Sequence, residues 1–145
     1  MPPLRRGRPE TLAQGRVLVV EAHADTRDLL LTVLGSAGYD VSVAEDGSAA
    51  QHFRERPADV VLMDLSPSPG VAPAARQLGA EFPGAAIVAM SGDDGRQWSE
   101  ATARARTAGA HLTVRKPLEP WLLLRSLEGL MAARRTLSGS RRRTA

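Results

Sequence analysis

Cysteine is absent from the 145-residue chain, which excludes disulfides, thiol nucleophiles and cysteine-ligated zinc or iron–sulfur sites. Long apolar runs are missing too, and none approaches the ~18 residues that a membrane helix needs. The opening MPPLRRGRPETLAQG carries arginines with no apolar stretch behind them, so it does not read as a secretory signal. A glycine-rich phosphate loop of the Walker or dinucleotide type is also lacking, which argues against a nucleotide-using metabolic enzyme. These absences leave a cytoplasmic, single-domain, non-enzymatic protein with no membrane contact as the expectation. A fold of this size buries roughly 68–70% of the surface its unfolded chain exposes, enough for a real core.

Lysine is nearly absent. Of 19 basic residues, 18 are arginine and Lys116 is the single lysine. A compact ammonium on a flexible stem does what a planar guanidinium cannot, so the exception invites a chemical reason. The net charge of +3 divides unevenly: +3 in residues 1–16, +5 in 134–145 and −5 in 17–133. The high pI therefore belongs to the ends, and the body is acidic.

From residue 17 short apolar runs alternate with helical stretches. The runs are VLVV (17–20), VSVA (41–44), DVVLMD (59–64), AAIVAMS (85–91) and HLTV (111–114). Their β-branched, doubly apolar character suits strands buried in a parallel sheet. Between them, Asp25 is expected to cap a helix with a Leu29, Leu30, Val33, Leu34 stripe that Gly38 closes. A second helix is expected from Asp46, Gly47 and Ser48 to Pro57, and a third over Ala74–Phe82. A long one follows SGDDG and ends near Gly109, and a last one runs from Trp121 to about Arg135. Strand–helix alternation repeated in this way predicts an α/β fold with helices on both faces of a five-stranded parallel sheet. Residues 1–15 and 134–145, rich in Arg, Gly, Ser and Pro, are expected to be disordered basic tails around a 16–133 domain.

In open parallel sheets, sites form at the carboxyl ends of the strands. Glu21, Asp64, Ser91 and Lys116 stand there. That set suits phosphoryl transfer to a carboxylate: Asp64 would be the nucleophile, forming an acyl phosphate. Lys116 and a magnesium ion would neutralise the phosphoryl oxygens, and Ser91 would donate a hydrogen bond to one. Each residue taken alone has a plainer reading: Asp64 a strand-end cap, Ser91 a helix start, Glu21 a solvated charge, Lys116 a surface lysine. His23 reads as a solvated loop residue, because a lone histidine without a partner at metal spacing is a weak signal.

These segments, from VLVVEAHADTR (17–27) through AGYDVSVAEDGSAA (37–50), PADVVLMD (57–64), IVAMSGD (87–93), AGA (108–110) and KP (116–117), resemble a receiver domain of two-component response regulators. The resemblance implies a flavodoxin-like, doubly wound fold of strand order 2-1-3-4-5. It implies Asp64 as phosphoacceptor, Ser91 as switch hydroxyl and Lys116 as the charge on the phosphoryl group. Magnesium would be held by Glu21, Asp64 and the Ser66 backbone carbonyl. The family's acidic pair falls on positions 21 and 22, and here the second is Ala22, which should weaken the metal site. LSPSPG follows Asp64 with its Pro-Gly shifted, Thr113 stands where the family often has an aromatic, and the helix after Ser91 looks a few residues long.

The resemblance further implies a histidine kinase or phosphotransfer protein as donor, a downstream protein effector and a homodimer as a further partner state. Trp98 and Trp121 mark the expected partner face, since tryptophan is enriched at interface hot spots. The first functional expectation is thus a stand-alone phosphorelay receiver. The alternative is a phosphorylation-independent pseudo-receiver, favoured by Ala22 and the altered loop. Nucleic-acid binding through the arginine-rich ends is the third; they carry no aromatic residue for stacking and no recognition helix, which speaks against it.

Overall fold

The computed structural model describes residues 15–45, 48–64, 71–82, 84–91, 103, 105–107, 109–116 and 118–144. Ser66, Trp98, Asp46, Gly47, most of the expected helix after Ser91 and residues 1–14 of the first tail lie outside the described residues, while Gly15, expected to end that tail, opens the first strand instead.

The strands are β1 (Gly15–Val20), β2 (Tyr39–Ala44), β3 (Val60–Asp64), β4 (Ala86–Ser91) and β5 (Leu112–Arg115). The helices are α1 (Ala24–Ser36), α2 (Ala49–Glu55), α3 (Val71–Glu81) and α4 (Pro120–Thr144). All strand pairs are parallel, and the sheet order is β2-β1-β3-β4-β5, as the sequence led us to expect. The central strands are apolar on both faces because both are covered. Val17, Val19, Val60, Leu62, Val88 and Met90 pack with Leu30 and Leu34 of α1 and Leu123, Leu127 and Met131 of α4. The alternate residues Leu18, Val20, Val61, Met63 and Ile87 pack on the other face with Ala49 and Phe53 of α2 and Leu78 of α3. The two-residue period of a strand thus splits one sheet between two cores.

The helices depart from the sequence reading in four details, three of boundary and one of burial, each with a local reason. His23, extended at φ −78° and ψ 122°, is the N-cap of α1, and Asp25 sits in its first turn instead. There the Asp25 carboxylate still faces the positive end of the helix dipole. Leu29 is 41% exposed; it lies about 100° around the helix from Leu30, so the buried stripe narrows to Leu30 and Leu34. Helix α3 begins at Val71 rather than Ala74, which puts Pro73 in the first turn, where a missing N–H has no intrahelical partner to lose. Helix α4 runs on to Thr144 instead of ending near Arg135. Its backbone is therefore helical through most of the expected basic tail. Arginine is a good helix former and no proline interrupts the run.

Gly38, by contrast, does what its position promised. Its φ of +99° is a conformation that glycine adopts without a Cβ clash, so only two residues separate the end of α1 from the start of β2.

Candidate functional site

Strand register brings the candidate residues to one edge. Val20 pairs with Met63, so the next step of the ladder sets Glu21 level with Asp64. Ser91 pairs with Arg115, which leaves Lys116 as the first residue past β5. This edge lies where the sheet order turns about β1 and β3, the place at which parallel α/β sheets open a crevice.

Glu21 and Asp64 are 3% and 7% exposed and are the buried charged residues among those described. Burying a carboxylate costs several kcal/mol unless a counter-charge and hydrogen bonds accompany it. Lys116 supplies them: its Nζ donates to Asp64 Oδ2 at 2.8 Å and to Glu21 Oε1 at 3.0 Å. The long stem reaches from the edge strand across to β3 and β1, with its side chain 18% exposed. Burial alone would lower the lysine pKa, but the hydrogen bonds and charges of Asp64 and Glu21 outweigh it. The ammonium is held above its ordinary value of 10.5.

The remaining Glu21 oxygen is engaged differently. The His23 backbone N–H donates to Glu21 Oε2 at 3.0 Å, and His23 Nδ1 lies 3.3 Å from the same oxygen. Glu21, His23 and Asp64 each offer a ligand atom, all within 4.8 Å of one another. This contact is what the sequence reading missed. His23 is largely solvent-exposed, as expected, yet the turn after β1 folds its ring back onto Glu21. The spacing Glu-Ala-His was the available signal. Two hard carboxylates and an imidazole suit a divalent cation of near-octahedral habit, which keeps several waters of its own. Ala22, exposed beside them, contributes no donor.

Ser91 ends β4 as expected, and its backbone is at the same edge. Trp121 and Leu122 open α4 with 56% and 49% exposure, while Leu123 and Leu127 turn inward at 2% and 0%. Arg125 stacks its guanidinium 5.7 Å from the Trp121 ring.

The model of the response regulator receiver domain matches residues 17–128. The chain belongs to that family. A response regulator from Thermotoga maritima shares its fold with a TM-score of 0.72 at 21% identity, over 81% of this chain and 97% of that one. A LuxR-family two-component response regulator from Aurantimonas sp. SI85-9A1 is 29% identical with a TM-score of 0.73, over 83% of this chain and 87% of that one. NtrX from Brucella abortus, solved with ADP, superposes with a TM-score of 0.77 at 24% identity, over 90% of this chain but 30% of its own. A comparison with curated proteins finds no match. Among the described residues, no helix of this receiver domain is long and apolar enough to cross a membrane.

Proposed function

We propose that this receiver accepts a phosphoryl group on Asp64 from the phosphohistidine of a histidine kinase or phosphotransfer protein. The single observation that carries the proposal is the buried cluster in which Lys116 joins Asp64 and Glu21 at the carboxyl edge of the sheet. An Asp64 oxygen attacks phosphorus, the P–N bond of the donor breaks, and its electron pair leaves on the imidazole nitrogen. The product is an acyl phosphate on Asp64. Lys116, already within hydrogen-bond distance of Asp64, meets the incoming phosphoryl oxygens with a positive charge that is not lost to titration near neutrality. Ser91, at the end of β4, is the hydroxyl proposed to donate to a phosphoryl oxygen and to report the phosphorylated state.

Glu21 and Asp64, with the Ser66 carbonyl, are the residues proposed to hold magnesium. When bound, the ion adds positive charge against the phosphoryl oxygens. The protein is proposed to act in the cytoplasm and to signal through contacts with a downstream protein. Exposed Trp121 and Leu122 supply the apolar part of that surface, with a homodimer as the other use of such a face.

A second reading is favoured by Ala22. A methyl stands where a further carboxylate would help bind the cation, and Lys116 already hydrogen-bonds both remaining carboxylates. Under that reading the domain is a phosphorylation-independent interaction module. Incubation with magnesium and acetyl phosphate, followed by intact-mass measurement, separates the two. A single phosphoryl adduct that Asp64→Asn abolishes supports the first reading, and its absence in folded protein supports the second.

A further inference from the structure

We infer that His23 is a ligand of the cation held by Glu21 and Asp64, and that it shifts the site from magnesium toward imidazole-accepting first-row ions such as Co2+ or Mn2+. The inference rests on the reading of Glu21 and Asp64 as a cation site. It goes further in naming a residue of this chain that alters which ion the site takes.

Three observations on the page lead to it. The ligand atoms of Glu21, His23 and Asp64 lie within 4.8 Å of one another. Ligands on a first-row ion with bonds of about 2.1 Å stand about 3.0 Å apart when adjacent and about 4.2 Å apart when opposite, so side-chain rotations that close these gaps by up to about 2 Å bring the three onto one ion. The His23 side chain is 72% exposed, and its ring is therefore free to make that rotation.

Glu21 also divides its two oxygens. Lys116 takes Oε1, whereas His23 Nδ1 faces Oε2. The ammonium and an ion shared by Glu21 and His23 therefore address different oxygens of one carboxylate. The backbone N–H of His23 donates to Oε2 as well, which fixes that oxygen beside the imidazole.

Ala22 supplies the third observation. It is an exposed residue without a side-chain donor atom between Glu21 and His23. With no carboxylate there, the nearest side-chain donor to replace it is a nitrogen. Magnesium takes oxygen ligands and gives up water reluctantly, so an imidazole adds little to its affinity. Manganese tolerates nitrogen and cobalt favours it, following the ordinary order of first-row affinities. The exchange of an oxygen donor for an imidazole should therefore weaken magnesium binding and spare cobalt.

The test is direct ion binding by the full chain, followed by calorimetry with MgCl2, MnCl2 and CoCl2 and by the visible absorption of Co2+. We expect Co2+ to bind at least tenfold more tightly than Mg2+, and His23→Ala to reduce that ratio by roughly tenfold. His23→Ala should also alter the Co2+ spectrum, because one nitrogen leaves the coordination sphere. His23→Asn, which keeps a polar side chain in the same loop, should behave as His23→Ala. A Co2+ to Mg2+ ratio and a spectrum unchanged in both variants would overturn the inference, as would Co2+ binding that survives Asp64→Asn intact. Failure of the underlying cation site looks different: no ion binds the wild-type chain, and that result overturns both readings. Phosphoryl transfer to Asp64 in magnesium, with no effect of His23 on ion choice, removes this inference alone.

Discussion

Glu21 has a fully buried side chain whose two oxygens are claimed by an ammonium on one side and a histidine on the other. Lys116 is the counter-charge on which both buried carboxylates depend. Replacing it by Met keeps the stem and removes the charge. Breaking a buried pair in this way costs about 3–5 kcal/mol, and the partial exposure of Lys116 sets the expectation at the lower end. Urea unfolding of Lys116→Met against wild type measures it. The same lysine sets a pH dependence. Its folded-state pKa lies above the unfolded value of 10.5, so its contribution is complete below that value. The contribution is lost as pH rises through the folded value. Stability should therefore fall in the alkaline range above about 10.5, and Lys116→Met should flatten that part of the profile measured by thermal unfolding.

At this scale the sequence was most informative where a residue stood at a strand end. Asp64 and Lys116 were legible because an apolar strand that stops on a carboxylate, and a lone lysine past another strand, are both local signals. The pairing of Glu21 with Lys116, and of Glu21 with His23, was not legible. The first spans 95 positions and depends on sheet order, and the second depends on the shape of one turn.

Among the elements, α4 shows how much a helical stripe can reveal. Leu123, Leu127 and Met131 recur every four residues and are 2%, 0% and 4% exposed, as the spacing of a one-sided helix requires. Trp121 sits ahead of that stripe and stays outside. Leu127→Ala should therefore destabilise the fold by about 2–5 kcal/mol. Trp121→Ala should change stability by no more than about 1 kcal/mol, the size of an exposed cation–π contact with Arg125. Paired chemical denaturation curves test this contrast, and equal losses would mean that Trp121 packs into the core. Helix starts were less legible than helix faces. Asp25 looks like a cap by residue type, but the chain leaves β1 in a turn that makes His23 the cap. Pro73 looks like a barrier before a helix, although a first turn accommodates it. The end of α4 was missed because arginine-rich composition suggests a solvated tail, while the same residues are compatible with continued helix.

On the scale of the whole molecule, alternating apolar runs and helical stretches determined the sheet, and the resemblance to receiver domains supplied its order. The structure reproduces that order, and the order is what makes the site. With β1 and β3 adjacent, Glu21 and Asp64 become neighbours, and a lysine beyond the edge strand can reach both. The structure keeps Lys116 on Asp64 and Glu21 at that edge, with Ala22 and His23 in the turn after β1. That this edge accepts a phosphoryl group is the function proposed above, and one measurement addresses it most directly. Purified chain is incubated with magnesium and acetyl phosphate, and its intact mass is recorded beside Asp64→Asn, with a family receiver labelled in parallel. The account predicts one phosphoryl adduct on the wild-type chain, dependent on the cation and absent from Asp64→Asn. A folded wild-type chain that stays unmodified while the parallel receiver is labelled would contradict it.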